Sequence, residues 1–144
     1  MVGKIWNPAN ARLILGDYMP SNVARFEQLM YLSLGIGVII SVLQFSYFES
    51  RTGAGFVLLV QAIVLAVFVL FIWLIARRRA NWARWTLLVM FLLGLILFVP
   101  IVRETLQRSP LVAGLNITQL ALQAVALYLV FTGNAVDWFK SRQR

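Results

Sequence analysis

The chain contains neither cysteine nor histidine. That excludes disulfides, thiol nucleophiles, zinc sites of the usual ligand types, histidine-ligated haem and an imidazole base working near neutral pH. Acidic residues are scarce, five in 144, and charges of both signs make up only 12% of the chain. A soluble domain carries roughly twice that charged fraction. Hydrocarbon takes the place of charge: 61% of the residues are hydrophobic, and the mean hydropathy is +0.83. The length suits one domain. A formal net charge of +8 could suggest nucleic acid, but the basic residues flank apolar runs instead of tiling one polar face. The positive-inside bias of membrane proteins accounts for that charge, and no nucleic-acid partner is expected.

The densest basic stretch is Arg77-Arg78-Arg79-Ala80-Asn81-Trp82-Ala83-Arg84. So many guanidinium groups do not sit in hydrocarbon, so this stretch is a loop at a membrane surface, with a long apolar run on each side. Each of those runs folds back once through a short polar break. The reading is an all-α integral membrane protein, a bundle of four transmembrane helices at about 26–48, 55–76, 85–102 and 111–132, with two tandem helical hairpins as the expected arrangement. Each run has roughly the twenty residues that a helix needs to cross a bilayer, and none alternates as a barrel strand would. Glu49 to Gly53 and Arg103 to Pro110 form the two outer breaks, and Pro100 is expected to loosen or kink the end of the third span.

Residues 1–25 form an N-terminal segment that does not read as a cleavable signal peptide, being polar and broken by Pro8 and Pro20. Within it, Asn7-Pro8 followed by Ala9 to Leu15 and Gly16 has the order of a short interfacial helix. Ser21 and Asn22 offer a cap for the first span. Residues 133–144 read as a basic tail, with Gly133-Asn134 marking the end of the fourth span.

Four spans place both termini and the central loop on one side. Of the 13 lysines and arginines, only Arg51, Arg103 and Arg108 fall on the other side, which sets both termini in the cytoplasm. Trp6, Trp73, Trp82, Trp85 and Trp138 all lie near the basic side, as an aromatic belt would. The chain also resembles itself. Ala24-Arg25-Phe26, Leu29 and Gly35 recur at a constant offset as Ala83-Arg84-Trp85, Leu88 and Gly94, and Gln61 to Leu65 resembles Gln123 to Leu127. Such repeats would be parallel, related by an axis along the membrane normal.

Polar residues inside the spans supply the candidate sites. Ser33, Gly37 and Ser41 form a small-residue strip on one helix face, and Ala62 and Ala66 form a lesser one, both suited to close helix packing. Gln44, Gln61, Asn116, Gln119 and Gln123 are intramembrane amides. They serve either as interhelical hydrogen-bonding groups or as the lining of an outward-facing polar pocket. The Asn116-Ile117-Thr118 sequon lies within a span and reads as chance. Arg77, Arg78, Arg79 and Arg84 set topology or hold an anionic lipid head group. No ionisable residue lies well inside a span, whereas proton-coupled transport ordinarily needs one at depth. The small multidrug exporters, four-helix chains of similar length, carry an intramembrane carboxylate that is missing here.

The central Asn81-Trp82-Ala83-Arg84 with Trp85 to Gly94, the later Ser109-Pro110-Leu111 and the closing Ala135-Val136-Asp137-Trp138-Phe139 resemble a diffuse group of small uncharacterised bacterial four-helix inner-membrane proteins. The resemblance covers about residues 25–140 and leaves 1–24 unmatched. It implies a bacterial inner-membrane address and brings no activity with it. With no nucleophile–base pair visible, the sequence points to a non-enzymatic structural or accessory protein without cofactor or metal. Such a chain associates with itself or with a larger membrane complex. A small oligomeric channel or facilitator using the amides is the alternative.

Overall fold

The computed structural model describes residues 19–140. These form six helices: α1 (Ser21–Leu43), α2 (Phe45–Thr52), α3 (Ala54–Ala76), α4 (Asn81–Arg108), α5 (Pro110–Val130) and α6 (Asn134–Lys140), with no strand among the described residues. Helices α1, α3, α4 and α5 are long and apolar enough to cross a membrane. An apolar chain in hydrocarbon must satisfy its backbone groups internally, and a helix does so within one segment. The interfacial helix expected at Ala9 to Leu15 lies outside the described residues.

Several boundaries differ from the sequence expectation. The first span starts at Ser21 and stops at Leu43, and the short α2 carries the chain on to Gly53. Gly53 has φ of +83° and separates α2 from α3, the left-handed backbone that glycine adopts without a Cβ penalty. The third span starts at Asn81 and extends to Arg108 through Pro100, so Asn81 to Arg84 and Arg103 to Arg108 are helix and not loop. The latter stretch is held by Glu104 and Arg108, one turn apart at 3.3 Å, and by the Thr105 hydroxyl donating to the Ile101 carbonyl at 2.8 Å. Residues 134–140, expected as tail, form α6 and bury Ala135, Trp138 and Phe139. Their spacing gives one apolar helical face.

Contacts fix which helix ends meet. At the basic end, Arg77 Nη2 reaches Glu27 Oε1 at 3.2 Å, and Asn22 meets Thr132 and Asn134. At the opposite end, the Tyr47 hydroxyl donates to Glu104 Oε1 at 3.1 Å, while Arg108 lies 3.8 Å from the centre of the Tyr47 ring. The helices therefore run up and down in chain order, but the closest packing joins α1 to α5, the first and last spans. The main core lies at the basic end: Val23, Phe26 and Met30 of α1, Ile72, Ile75 and Ala76 of α3, Ala83 and Leu87 of α4, Ala126, Leu127 and Val130 of α5, and the buried face of α6. Away from that end, α3 and α4 are mostly exposed. The four-helix bundle is closed at one end and open along one side of the other.

Candidate functional site

The small-residue strip of α1 explains the α1–α5 contact. Ser33 is fully buried. One turn on, a Cβ placed on Gly37 would lie 3.0 Å from Gln119 Nε2 of α5, so the missing side chain is what admits the amide. One turn farther, the half-buried Ser41 donates its hydroxyl back to the Gly37 carbonyl at 2.9 Å. This strip packs the bundle internally. Ala62 and Ala66 do the reverse: both are exposed on α3.

The five amides separate in the same way. Asn116, Gln119 and Gln123 line one cavity of about 230 Å³ together with Met30, Phe68, Leu87, Met90, Phe91, Gly94, Phe98, Leu120 and Leu127. Gln44 and Gln61 are half-buried but do not reach it. Gln44 stands at the junction of α1 and α2. Gln61 lies on the half-buried stripe of α3 that includes Val57, Leu65 and Phe68. Within the cavity, Asn116 Nδ2 donates to the Val112 carbonyl one turn back at 3.0 Å, whereas the side chains of Gln119 and Gln123 make no hydrogen bond to any described residue. In hydrocarbon an amide without a partner is costly. Met30, Leu87 and Leu127 belong to both the cavity wall and the core, so the cavity ends blindly toward the basic end.

The basic loop is built from specific contacts. The turn after α3 closes with the Ala80 N–H donating to the Leu74 carbonyl at 3.0 Å, with Arg79 in the left-handed region at φ of +51°. Arg79 then lies 3.6 Å from the centre of the Trp138 ring, and Arg78 lies 4.8 Å from that of Trp73. Arg84 packs its guanidinium on Phe139 and Phe131, at 4.6 and 5.0 Å. Arg77 holds Glu27, whose carboxylate is only 15% exposed. Cation–π contacts of this kind are worth on the order of 1 kcal/mol, so each of these arginines helps to fasten the basic end as well as charging it. Beside them an open groove of about 580 Å³ runs past Trp73, Arg78, Arg79, Asn81, Trp82 and Phe139.

One constellation has no counterpart in the sequence reading. Asn22 and Asn134, far apart in the chain, tie the start of α1 to the junction of α5 and α6. The Asn22 side-chain amide donates to the Thr132 carbonyl at 3.0 Å, past the end of α5. In return the Asn22 backbone N–H reaches Asn134 Oδ1 at 3.4 Å, and Asn134 Nδ2 donates to Ser21 Oγ at 3.1 Å. Gly133 between them has φ of +59°, and a Cβ there would lie 2.7 Å from Asn22 Nδ2. The Gly-Asn pair that reads as a helix stop is also a clamp on the first span. Only the chemistry of asparagine at two helix ends hinted at it. No family model, no curated protein and no solved structure matches the chain.

Proposed function

We propose that this is a non-enzymatic accessory protein of a membrane, one that associates through its second and third spans with a second copy or with a larger membrane complex. The observation that carries this reading is the inequality of the four spans. In their most apolar windows α1 and α5 each bury 22% of their residues within the chain, while α3 and α4 bury 11% and 6%. Ala62 and Ala66 lie on the exposed part of α3, where small residues permit close approach of another helix. The distribution of lysine and arginine supports both termini in the cytoplasm. The resemblance carried by Asn81 to Arg84, the first residues of α4, supports a bacterial inner membrane. The lipid bilayer is a partner in any case, and the basic groove beside Arg78 and Arg79 supports contact with anionic lipid.

The channel reading draws on the amide-lined cavity, but Met30, Leu87 and Leu127 close that cavity toward the basic end. A pore would have to form between copies. The test exploits the absence of cysteine. Single cysteines replacing Ala62 or Ile96, on exposed faces of α3 and α4, are cross-linked in native membranes and compared with cysteines at Tyr128, exposed on α5. Specific adducts at Ala62 or Ile96 and none at Tyr128 support association through the open side. No adduct at either α3 or α4 position would sink it.

A further inference from the structure

The cavity between α4 and α5 does not depend on any partner, and its chemistry is specific enough to suggest an occupant. We infer that it binds an uncharged, lipid-soluble molecule built on a single ring that bears a carbonyl or hydroxyl group. Size comes first. A dry cavity of about 150 Å³ accepts benzene, and this one measures about 230 Å³, which leaves room for a substituted ring. The walls have two chemistries. Phe68, Phe91 and Phe98, with the thioethers of Met30 and Met90, supply polarizable surface suited to a ring face. The α5 wall supplies Gln119 and Gln123, whose amides have no hydrogen-bond partner among the described residues. A carboxamide offers both a donor and an acceptor, so it can meet a carbonyl or a hydroxyl. Among the described residues no ionisable side chain lines the cavity, so a charged ligand would be buried without a counter-charge.

Access follows from the fold. The core closes the basic end, while Gly94, a wall residue, is exposed at the mouth with nothing within 4 Å of where its Cβ would be. The molecule therefore arrives from the hydrocarbon through the open side, already dissolved in lipid.

The test uses the full-length chain in lipid nanodiscs and two photoreactive probes: a diazirine-bearing 4-alkylphenol and the matched alkylbenzene, which lacks only the hydroxyl. Labelled residues are identified by mass spectrometry of the digested protein. The phenol is expected to label cavity residues such as Phe91 and Leu120 about tenfold more than the alkylbenzene does, the scale of two hydrogen bonds to amides. The double variant Gln119→Leu with Gln123→Leu should remove that preference and leave alkylbenzene labelling in place. Gly94→Phe fills the mouth from an open position, and should abolish cavity labelling by both probes without loss of helicity. Labelling spread evenly over the exposed faces of α3 and α4, or equal cavity labelling by both probes in the unsubstituted chain, would overturn the inference. So would a hydroxyl preference that survives the double variant.

Discussion

Two helix pairs hold matching places in this chain and are packed very differently. The internal similarity aligns α1 with α4 and α3 with α5, so the α1–α5 contact corresponds to the contact between α4 and α3. The first is the tightest in the molecule and the second is slight. The cause is local. At the offset that carries Ala24-Arg25-Phe26 onto Ala83-Arg84-Trp85, Ser33, Gly37 and Ser41 fall on Leu92, Ile96 and Pro100. A helix with no side chain at Gly37 admits Gln119 against its backbone, while the matching Leu92 and Ile96 of α4 stay exposed, at 49% and 71%. Between helices in lipid, apolar bulk brings no net hydrophobic gain, so close approach and polar pairing decide which helices meet. The hydropathy agrees: α3 and α4 are the more apolar spans, and α1 and α5 the less.

Substitutions at matched positions break the comparison most clearly. Phe26 is fully buried, whereas its counterpart Trp85 is 52% exposed and touches Phe131 edge-on at 4.9 Å. Phe26→Ala should cost about 3 kcal/mol of stability and Trp85→Ala only about 1 kcal/mol, read from unfolding midpoints in mild detergent. Gly37→Leu forces its side chain against Gln119 and should cost about 2 kcal/mol, while Gly94→Leu, in open space, should stay within about 0.5 kcal/mol. Equal effects for the two glycines would mean that the two pairs are equally packed.

The clamp at the basic end sharpens the same picture, because it too belongs to the α1–α5 side. Gly133→Ala places a Cβ against Asn22 at a positive φ and should lower stability by about 1–2 kcal/mol. Asn134→Ala, which removes two hydrogen bonds, should cost about 1 kcal/mol. The Arg77–Glu27 pair, with its arginine 58% exposed, stands last. Arg77→Gln should change stability by no more than about 0.5 kcal/mol, and less at high salt. Chemical denaturation at two ionic strengths separates this from the packing effects.

Much of the architecture was legible in the sequence. The four apolar runs, their polar breaks and the basic loop gave the number, nature and order of the spans, because length and hydropathy control insertion directly. Helix pairing was not legible. Every face of a membrane helix is apolar, so periodicity does not mark the buried side as it does in a soluble protein. The strip at Ser33, Gly37 and Ser41 was visible, and left open whether it faces inward or toward another chain. Ala62 and Ala66 look alike in sequence and lie on the outside. Among the amides, Asn116, Gln119 and Gln123 share a face through their spacing, which made their common cavity foreseeable. Gln44 and Gln61, on other helices, carried no signal of orientation. Helix α6 was missed because it is only seven residues long and is broken by Asp137 and Lys140, and its apolar face has meaning only once the basic end has formed to receive it.

The measurement that bears most directly on the unequal bundle is a pair of spin-label distances in the cysteine-free chain, in lipid nanodiscs. One pair of labels replaces Val42 and Leu111 at the far ends of α1 and α5; the other replaces Leu59 and Ile101 in the far halves of α3 and α4. All four positions are exposed, so the labels leave the packing intact. A narrow distribution is expected for Val42 with Leu111, and a broad, longer one for Leu59 with Ile101. A second distribution as short and narrow as the first would contradict an open side between α3 and α4.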